Sequence, residues 1–157
     1  MLMAMLLALT ACGDDTPYSV DEFSPNVGAN ASVNGMLLRN AFILGGESGD
    51  PLDPGSDAPL YLTLVNQGSQ KDRLVSVSSP GHFTGSRMNG DWSVPPDGMA
   101  GGGPVPQATL TGLAKPLPSG SYIPVVFTFQ HAGQTRKQIP VLPPSQWRTQ
   151  SPVTTSN

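Results

Sequence analysis

One thiol, a group of carboxylates, a glycine run and scattered serines are the residues of this chain whose types and spacing could do chemistry. Cys12 is the only cysteine. It has no disulfide partner within the chain, and no histidine lies near it to build a metal site or an activated nucleophile. Glu47, Asp50, Asp53 and Asp57, in "GESGDPLDPGSD", offer the hard oxygens that calcium takes. Their spacing is not that of an EF-hand loop and two prolines break the stretch, so a solvated loop is the better reading. "GMAGGGP" at 98–104 lacks the lysine and the strand–loop–helix setting of a phosphate cradle. No Gly-x-Ser-x-Gly elbow presents a serine nucleophile. The chain is therefore expected not to be an enzyme.

The surroundings of Cys12 give it a different chemistry. Met1 to Ala11 is apolar and uncharged. As a helix it would rise only about 16 Å, too short for a bilayer core of about 30 Å. It fits the apolar centre of a secretory signal, although the usual basic start is missing. Gly13, Asp14 and Asp15 then switch abruptly to polar sequence. Leu9-Thr10-Ala11-Cys12 resembles a bacterial lipobox. That resemblance implies diacylglycerol on the Cys12 thiol, cleavage just before it, and a mature chain tethered to the outer face of the cytoplasmic membrane. Two acyl chains anchor stably where one binds marginally.

Composition limits the rest. There are 157 residues, with 18 Gly, 17 Pro and 12% charged residues. One domain of short strands joined by turns is the expectation, because so much Gly and Pro disfavours long helices. The net charge of −3 is uneven. Residues 13–57 carry eight acidic groups and one base, Arg39, giving −7; residues 58–157 carry three acidic and seven basic groups, giving +4. No basic run interleaved with aromatics marks a nucleic-acid surface.

Patterning divides the chain into a signal over 1–11, the lipidated cysteine and a flexible linker over 12–30, a β-domain over 31–142 and an unordered tail over 143–157. Asn34-Gly35 predicts a tight turn between the first two strands. Residues 45–58 read as loop. "PLYLTLVNQG" alternates, with Leu60, Leu62 and Leu64 on one face. "DRLVSVSSP" alternates next, with Val75 and Val77 placed together. Residues 80–106 read as loop, "QATLTGL" as a strand ending at Gly112, and "IPVVFTFQHAGQTRKQIPVL" as a hairpin turning at Ala132-Gly133. Val125, Phe127 and Phe129 share a face of its first arm. The class is all-β: a small antiparallel sandwich or barrel, immunoglobulin-like or cupredoxin-like, with a flexible tether and tail.

The order of blocks "YLTLVNQGSQKDRLVSVSSP", "VPPDG" and "LTGLAKPLPSGSYIPVVFTFQHAGQTRKQIPV" over residues 58–141 resembles the PCuAC-like periplasmic copper chaperones. The lipobox, the acidic spacer and "VGANASVNGMLLRNAFIL" are similar to an actinobacterial lipoprotein branch. The resemblance implies a cupredoxin-like Greek-key barrel working near the assembly of respiratory oxidase. It also implies a Cu(I) site built on His-x-Met just before "L-x-G-L", and imidazole and thioether suit the soft cuprous ion. Here those positions read Gln107-Ala108-Thr109, an amide and a hydroxyl in place of the soft donors. Substitute ligands would have to come from His82, Met88 and Met99, forming a surface site, with His131 at the hairpin turn.

The sequence thus predicts a non-enzymatic, membrane-anchored surface lipoprotein whose copper-chaperone-like domain has lost its standard ligands. It would carry no cofactor and dock onto a protein partner in the envelope or respiratory chain. Phe83, Met88 and Trp92 are the candidate contact residues. The alternative is an extracytoplasmic Cu(I) chaperone with rearranged His and Met ligands.

Overall fold

The chain was analysed as a computed structural model that describes residues 27–149. The signal, Cys12 and most of the linker lie outside the described residues, as do residues 150–157. Ten strands and one short helix follow in chain order: β1 Ala29–Val33, β2 Met36–Leu44, β3 Ala58–Asn66, β4 Asp72–Ser78, β5 Phe83–Met88, β6 Trp92–Val94, β7 Met99–Gly101, β8 Ala108–Leu113, β9 Tyr122–Phe129, β10 Gln134–Leu142 and α1 Pro144–Thr149. The hydrogen-bonded order is β5-β8-β3-β2-β10-β9-β4-β6, with β1 added to β2 and β7 to β3. Every pairing is antiparallel except β2 with β10, which meet in parallel at Ile43–Val141 and Leu44–Leu142. The sheet curls until β5 lies beside β4, where Ser86 Oγ donates to the Val77 carbonyl. The expected all-β class and barrel-like curl are what the chain adopts.

Local sequence explains the two strands that open the domain. Asn34 and Gly35 take φ of 42° and 86°, the left-handed pair that a two-residue hairpin requires. Beyond the turn Met36 and Leu38 point into the core and Leu37 and Arg39 point away. A bulge between Arg39 and Phe42, with Asn40 at φ 51°, then resets the strand's facing. The side-chain amide oxygen of Asn30 accepts from the Asn40 backbone N–H at 2.9 Å, and that of Asn40 accepts from Gly28 at 3.1 Å.

The core runs between the curled faces. Leu60, Leu62 and Leu64 of β3 are buried as the alternation predicts, against Leu110, Val125, Phe127 and Ile139. Burying side chains of this size stabilises the fold by about 1.5–3 kcal/mol each. Phe42 and Tyr61 stack outside that core, with ring centroids 5.1 Å apart.

Three sequence expectations change. Residues 80–106 are not a loop but hold β5, β6 and β7, strands of three to six residues. Their polar, glycine-rich composition hid them, because β5 is exposed along most of its length. The chain after Pro143 forms α1, although the whole of 143–157 was expected to be unordered. Val75 does not share a face with Val77. The β4–β9 register runs Leu74–Phe129 and then Ser76–Thr128, so Val75 is the extra residue of a bulge and is exposed. Val75→Thr should accordingly shift stability by less than about 0.5 kcal/mol. Val77→Thr should cost more than about 1 kcal/mol, since it places a hydroxyl in the core. Urea unfolding of the two variants checks this, and equal costs would refute the bulge.

Candidate functional site

The positions of interest lie where β8 and β7 share one edge of β3. β8 pairs with Ala58–Leu60 and β7 with Thr63–Val65. Neither strand supplies an acceptor for the Leu62 N–H that falls between them. Gln107 fills this break. Its backbone N–H donates to the Leu60 carbonyl at 2.9 Å, and its side-chain Oε1 accepts from the Leu62 N–H at 2.7 Å. The side chain thus continues the ladder one residue beyond the strand, as a backbone carbonyl would. Its Nε2 donates to the Val105 carbonyl at 2.8 Å. Its own carbonyl accepts from the Asn89 N–H at 3.0 Å and from the Trp92 indole N–H at 2.8 Å. Gln107 is 1% exposed and ties β3, β6, β8 and the loop before β8 together.

Glycine makes this approach possible. Gly101, at φ 84°, lies over the amide, and a Cβ there would stand 2.4 Å from the Leu62 carbonyl oxygen and 3.3 Å from Gln107 Cδ. Thr109, two residues on, is also buried, and its hydroxyl accepts from Asn89 Nδ2 at 2.9 Å. Asn89 further donates to the Pro106 carbonyl at 3.3 Å. No local sequence pattern picks out Asn89, whose role depends on the loop returning over β8.

The substitute soft donors are not brought together. His82 and Met88 stand at opposite ends of β5, about 20 Å apart at strand rise. Met88 pairs with Ala108 and packs against the core, whereas Arg87 pairs with Thr109. Directly paired residues share a face, so Met88 and Thr109 point to opposite sides of the sheet. Met99 pairs with Val65, five residues along β3 from the level of Ala108, and is 69% exposed. His131 sits in the β9–β10 turn, where its backbone N–H donates to Asp72. Among the described residues no three His, Cys, Asp or Glu side chains gather as a metal would need. His82, Met88 and Met99, the substitute ligands that a surface site would need, therefore do not meet. Nor do Gln107 and Thr109 fit copper, because both side chains are already committed to hydrogen bonds inside the fold.

The predicted contact residues also change. Phe83 is 7% exposed and pairs with Leu113, so it belongs to the core. Trp92 is half-buried with its indole N–H bonded, and Met88 is half-buried. The apolar side chains exposed in this region are Met99 and Val105, on either side of the Gly101–Gly103 turn. His82 is distinctive in one respect: its Nδ1 is buried without a partner.

Comparison with known proteins follows the same lines. The family described as "Putative lipoprotein LpqE-like" matches residues 36–141. "Putative lipoprotein LpqE" of Mycobacterium tuberculosis is 31% identical over 152 residues, covering 85% of this chain and 81% of the relative. The protein of the same description in Mycobacterium leprae is 30% identical over 156 residues, covering 89% and 83%. Among solved structures, the apo PCuAC domain from PmoF1 superposes with a TM-score of 0.63 at 18% identity, over 73% of this chain and 99% of that domain. The copper-bound PCuAC domain from PmoF2 gives 0.60 at 20% identity, over 73% and 98%. At these identities the likeness is one of fold.

Proposed function

Because this chain belongs to the LpqE-like lipoprotein family, we propose that it is a non-enzymatic lipoprotein, anchored through Cys12 to the outer face of the cytoplasmic membrane. Its PCuAC fold serves there as a docking module for a membrane protein, in the setting of respiratory oxidase assembly. The observation that carries this reading is Gln107. The amide at the first expected ligand position is buried and spent on the Leu62 N–H and the Val105 carbonyl. A fold that keeps its frame while giving that position to the sheet has no standard copper site left to serve. Met99 and Val105, exposed beside a glycine turn, are the contact residues, since exposed Met and apolar side chains suit interfaces.

Fractionation with fatty-acid labelling tests the anchor. Cys12→Ser should abolish the label and release the protein from the membrane. Retention of the variant with no label on the wild type would defeat the reading. Photo-crosslinking from position 99 or 105 in intact cells tests docking and should give one discrete adduct, absent from position 75 on β4. Adducts equally strong from all three positions would deny a defined face.

One observation favours a second reading, in which Cu(I) is carried by rearranged ligands: the buried, unpartnered Nδ1 of His82. Titration with Cu(I) against a moderate chelator decides between them. We expect no stoichiometric retention, because among the described residues Met88 stands at the far end of β5 from that imidazole and Met99 lies beside Val65 of β3. One-to-one binding lost in His82→Ala would establish the second reading.

A further inference from the structure

A basic groove opens along the edge of β2 opposite the one that β3 takes. β1 and β10 both use the same side of β2: β1 pairs along Met36–Ala41, and β10 only at Ile43 and Leu44. The β2 bulge separates the two stretches. β1 and the first half of β10 therefore run near each other with no ladder between them. The seam holds a cavity of about 240 Å³, lined by Asn30, Ser32, Arg39, Thr135, Arg136 and Lys137. That is the volume of about eight waters, enough for a phosphodiester group.

Its chemistry is one-sided. Arg39, Arg136 and Lys137 line it together with Asn30, Ser32 and Thr135, and no carboxylate of the described residues does. By register Arg39, Ser32 and Arg136 lie on the outer face of the sheet, and Thr135 and Lys137 on the face of Phe127 and Val125. The ion pair found among the described residues, Arg87 with Asp57, lies elsewhere. The Arg39 guanidinium is held against the backbone, donating to the Leu38 carbonyl at 3.2 Å and the Ala31 carbonyl at 3.5 Å through Nη1. That leaves the rest of its planar fork for an anion. Guanidinium, ammonium and hydroxyl groups around one cavity suit the tetrahedral, multiply accepting oxygens of a phosphate.

We propose that this groove binds the phosphate of anionic phospholipid headgroups and orients the domain on the bilayer. Two features of the chain select that source. β1 begins 17 residues after Cys12, a length of chain that reaches at most about 60 Å fully extended and about 20–25 Å as a random coil, so an anchor at Cys12 keeps the groove within reach of headgroups. The whole chain is net −3, with −7 over residues 13–57 and +4 over 58–157, so attraction to an anionic surface has to come from local basic residues and not from the total charge. The proposal rests on the anchored reading only for where the bilayer lies.

The test uses the full chain carrying Cys12→Ser, which has no acyl group, and co-sedimentation with vesicles. Phosphatidylcholine vesicles alone register any contribution of the apolar residues 1–11. Doping with phosphatidylglycerol should add binding that high salt removes. Arg136→Gln with Lys137→Gln should weaken the added binding about 25-fold and Arg39→Gln about fivefold, at about fivefold per cation. Arg136 and Lys137 are exposed, so urea unfolding of the double variant should match the parent. No preference for phosphatidylglycerol, or a preference that the double variant keeps, overturns the proposal. Amide shifts at Ser32 and Thr135 caused by inorganic phosphate, without vesicle binding, would also overturn it by assigning the groove to free anions. These failures leave the fatty-acid labelling of Cys12 untouched, so the groove and the anchor stand or fall separately.

Discussion

Gln107→Met should destabilise the domain by about 2–4 kcal/mol, although methionine nearly matches glutamine in volume. The swap keeps the packing under Gly101 and removes only the amide. The buried Leu62 N–H and the part-buried Val105 carbonyl then lose their partners; a buried group left unsatisfied costs about 1–3 kcal/mol, and the carbonyl, nearer solvent, adds less. Gln107→Ala should cost more, because a cavity adds to the same loss. Urea unfolding gives the energies, and hydrogen exchange at the Leu62 amide gives the mechanism: protection there should fall further than at Leu60, whose partners are backbone. A methionine variant as stable as the parent would mean that the amide is not a member of the ladder.

The same geometry argues against rebuilding a copper site by residue type alone. With Gln107 and Thr109 on one strand face, Gln107→His plus Thr109→Met reads as two soft donors restored beside Met88. The register places Met88 on the other face, opposite Ala108. The imidazole would also have to leave the Leu62 N–H unpaired to reach a metal. The double variant should therefore unfold at lower urea and gain no Cu(I) that withstands a moderate chelator. A folded double variant with high Cu(I) affinity would show that the side chains at 107 and 109 can turn outward, and the docking reading would lose its carrying observation.

What could be read in advance follows from which interactions are local. Leu60, Leu62 and Leu64 announced β3 because one buried face writes a period of two into the residues themselves. Asn34-Gly35 announced its hairpin because only a few residue pairs tolerate two left-handed conformations. β5 was missed because a mostly exposed strand next to the sheet's open end has no such period; "FTGSRM" earns its place by pairing with β8. Val75 was misplaced because a bulge shifts facing by one residue without a mark in the sequence. The site was half legible. The replacement of soft donors at 107 and 109 is visible in the residue types. Their present work is not, because it depends on β7 and β8 meeting the same edge of β3 from far apart in the chain. The separation of Met88 from Thr109 likewise required the strand register.

Asp72→Asn should loosen the β9–β10 turn and cost about 1.5–3 kcal/mol near neutral pH, an effect that acid removes. Asp72 opens β4 and is 5% exposed. Its Oδ1 accepts the N–H of Arg73 at 2.7 Å and of His131 at 2.9 Å, and its Oδ2 accepts that of Ala132 at 2.8 Å. The carboxylate thus holds two residues of a turn some sixty positions away. From the other side Asn34 Nδ2 donates to the Ala132 carbonyl at 2.8 Å. Burial pushes the carboxyl pKa up, but the three backbone N–H donors, aided by the His131 charge, outweigh it and hold the pKa below the ordinary value. The sign of the pH dependence follows. A depressed pKa in the folded state stabilises above the unfolded carboxyl's pKa, and the contribution is lost as pH falls through the folded value. The gap between parent and variant should therefore be flat from neutral pH down to about pH 5 and should close progressively below about pH 4. Asparagine offers one oxygen where the carboxylate offers two charged ones, and hydrogen bonds to a charged acceptor are worth about 1.5–3 kcal/mol. Urea unfolding of both proteins across that range measures the gap, and exchange at the His131 and Ala132 amides locates it. A gap that persists undiminished in acid would assign the loss to packing and not to the carboxylate charge. Equal stability at neutral pH would mean that Asp72 does not hold the turn.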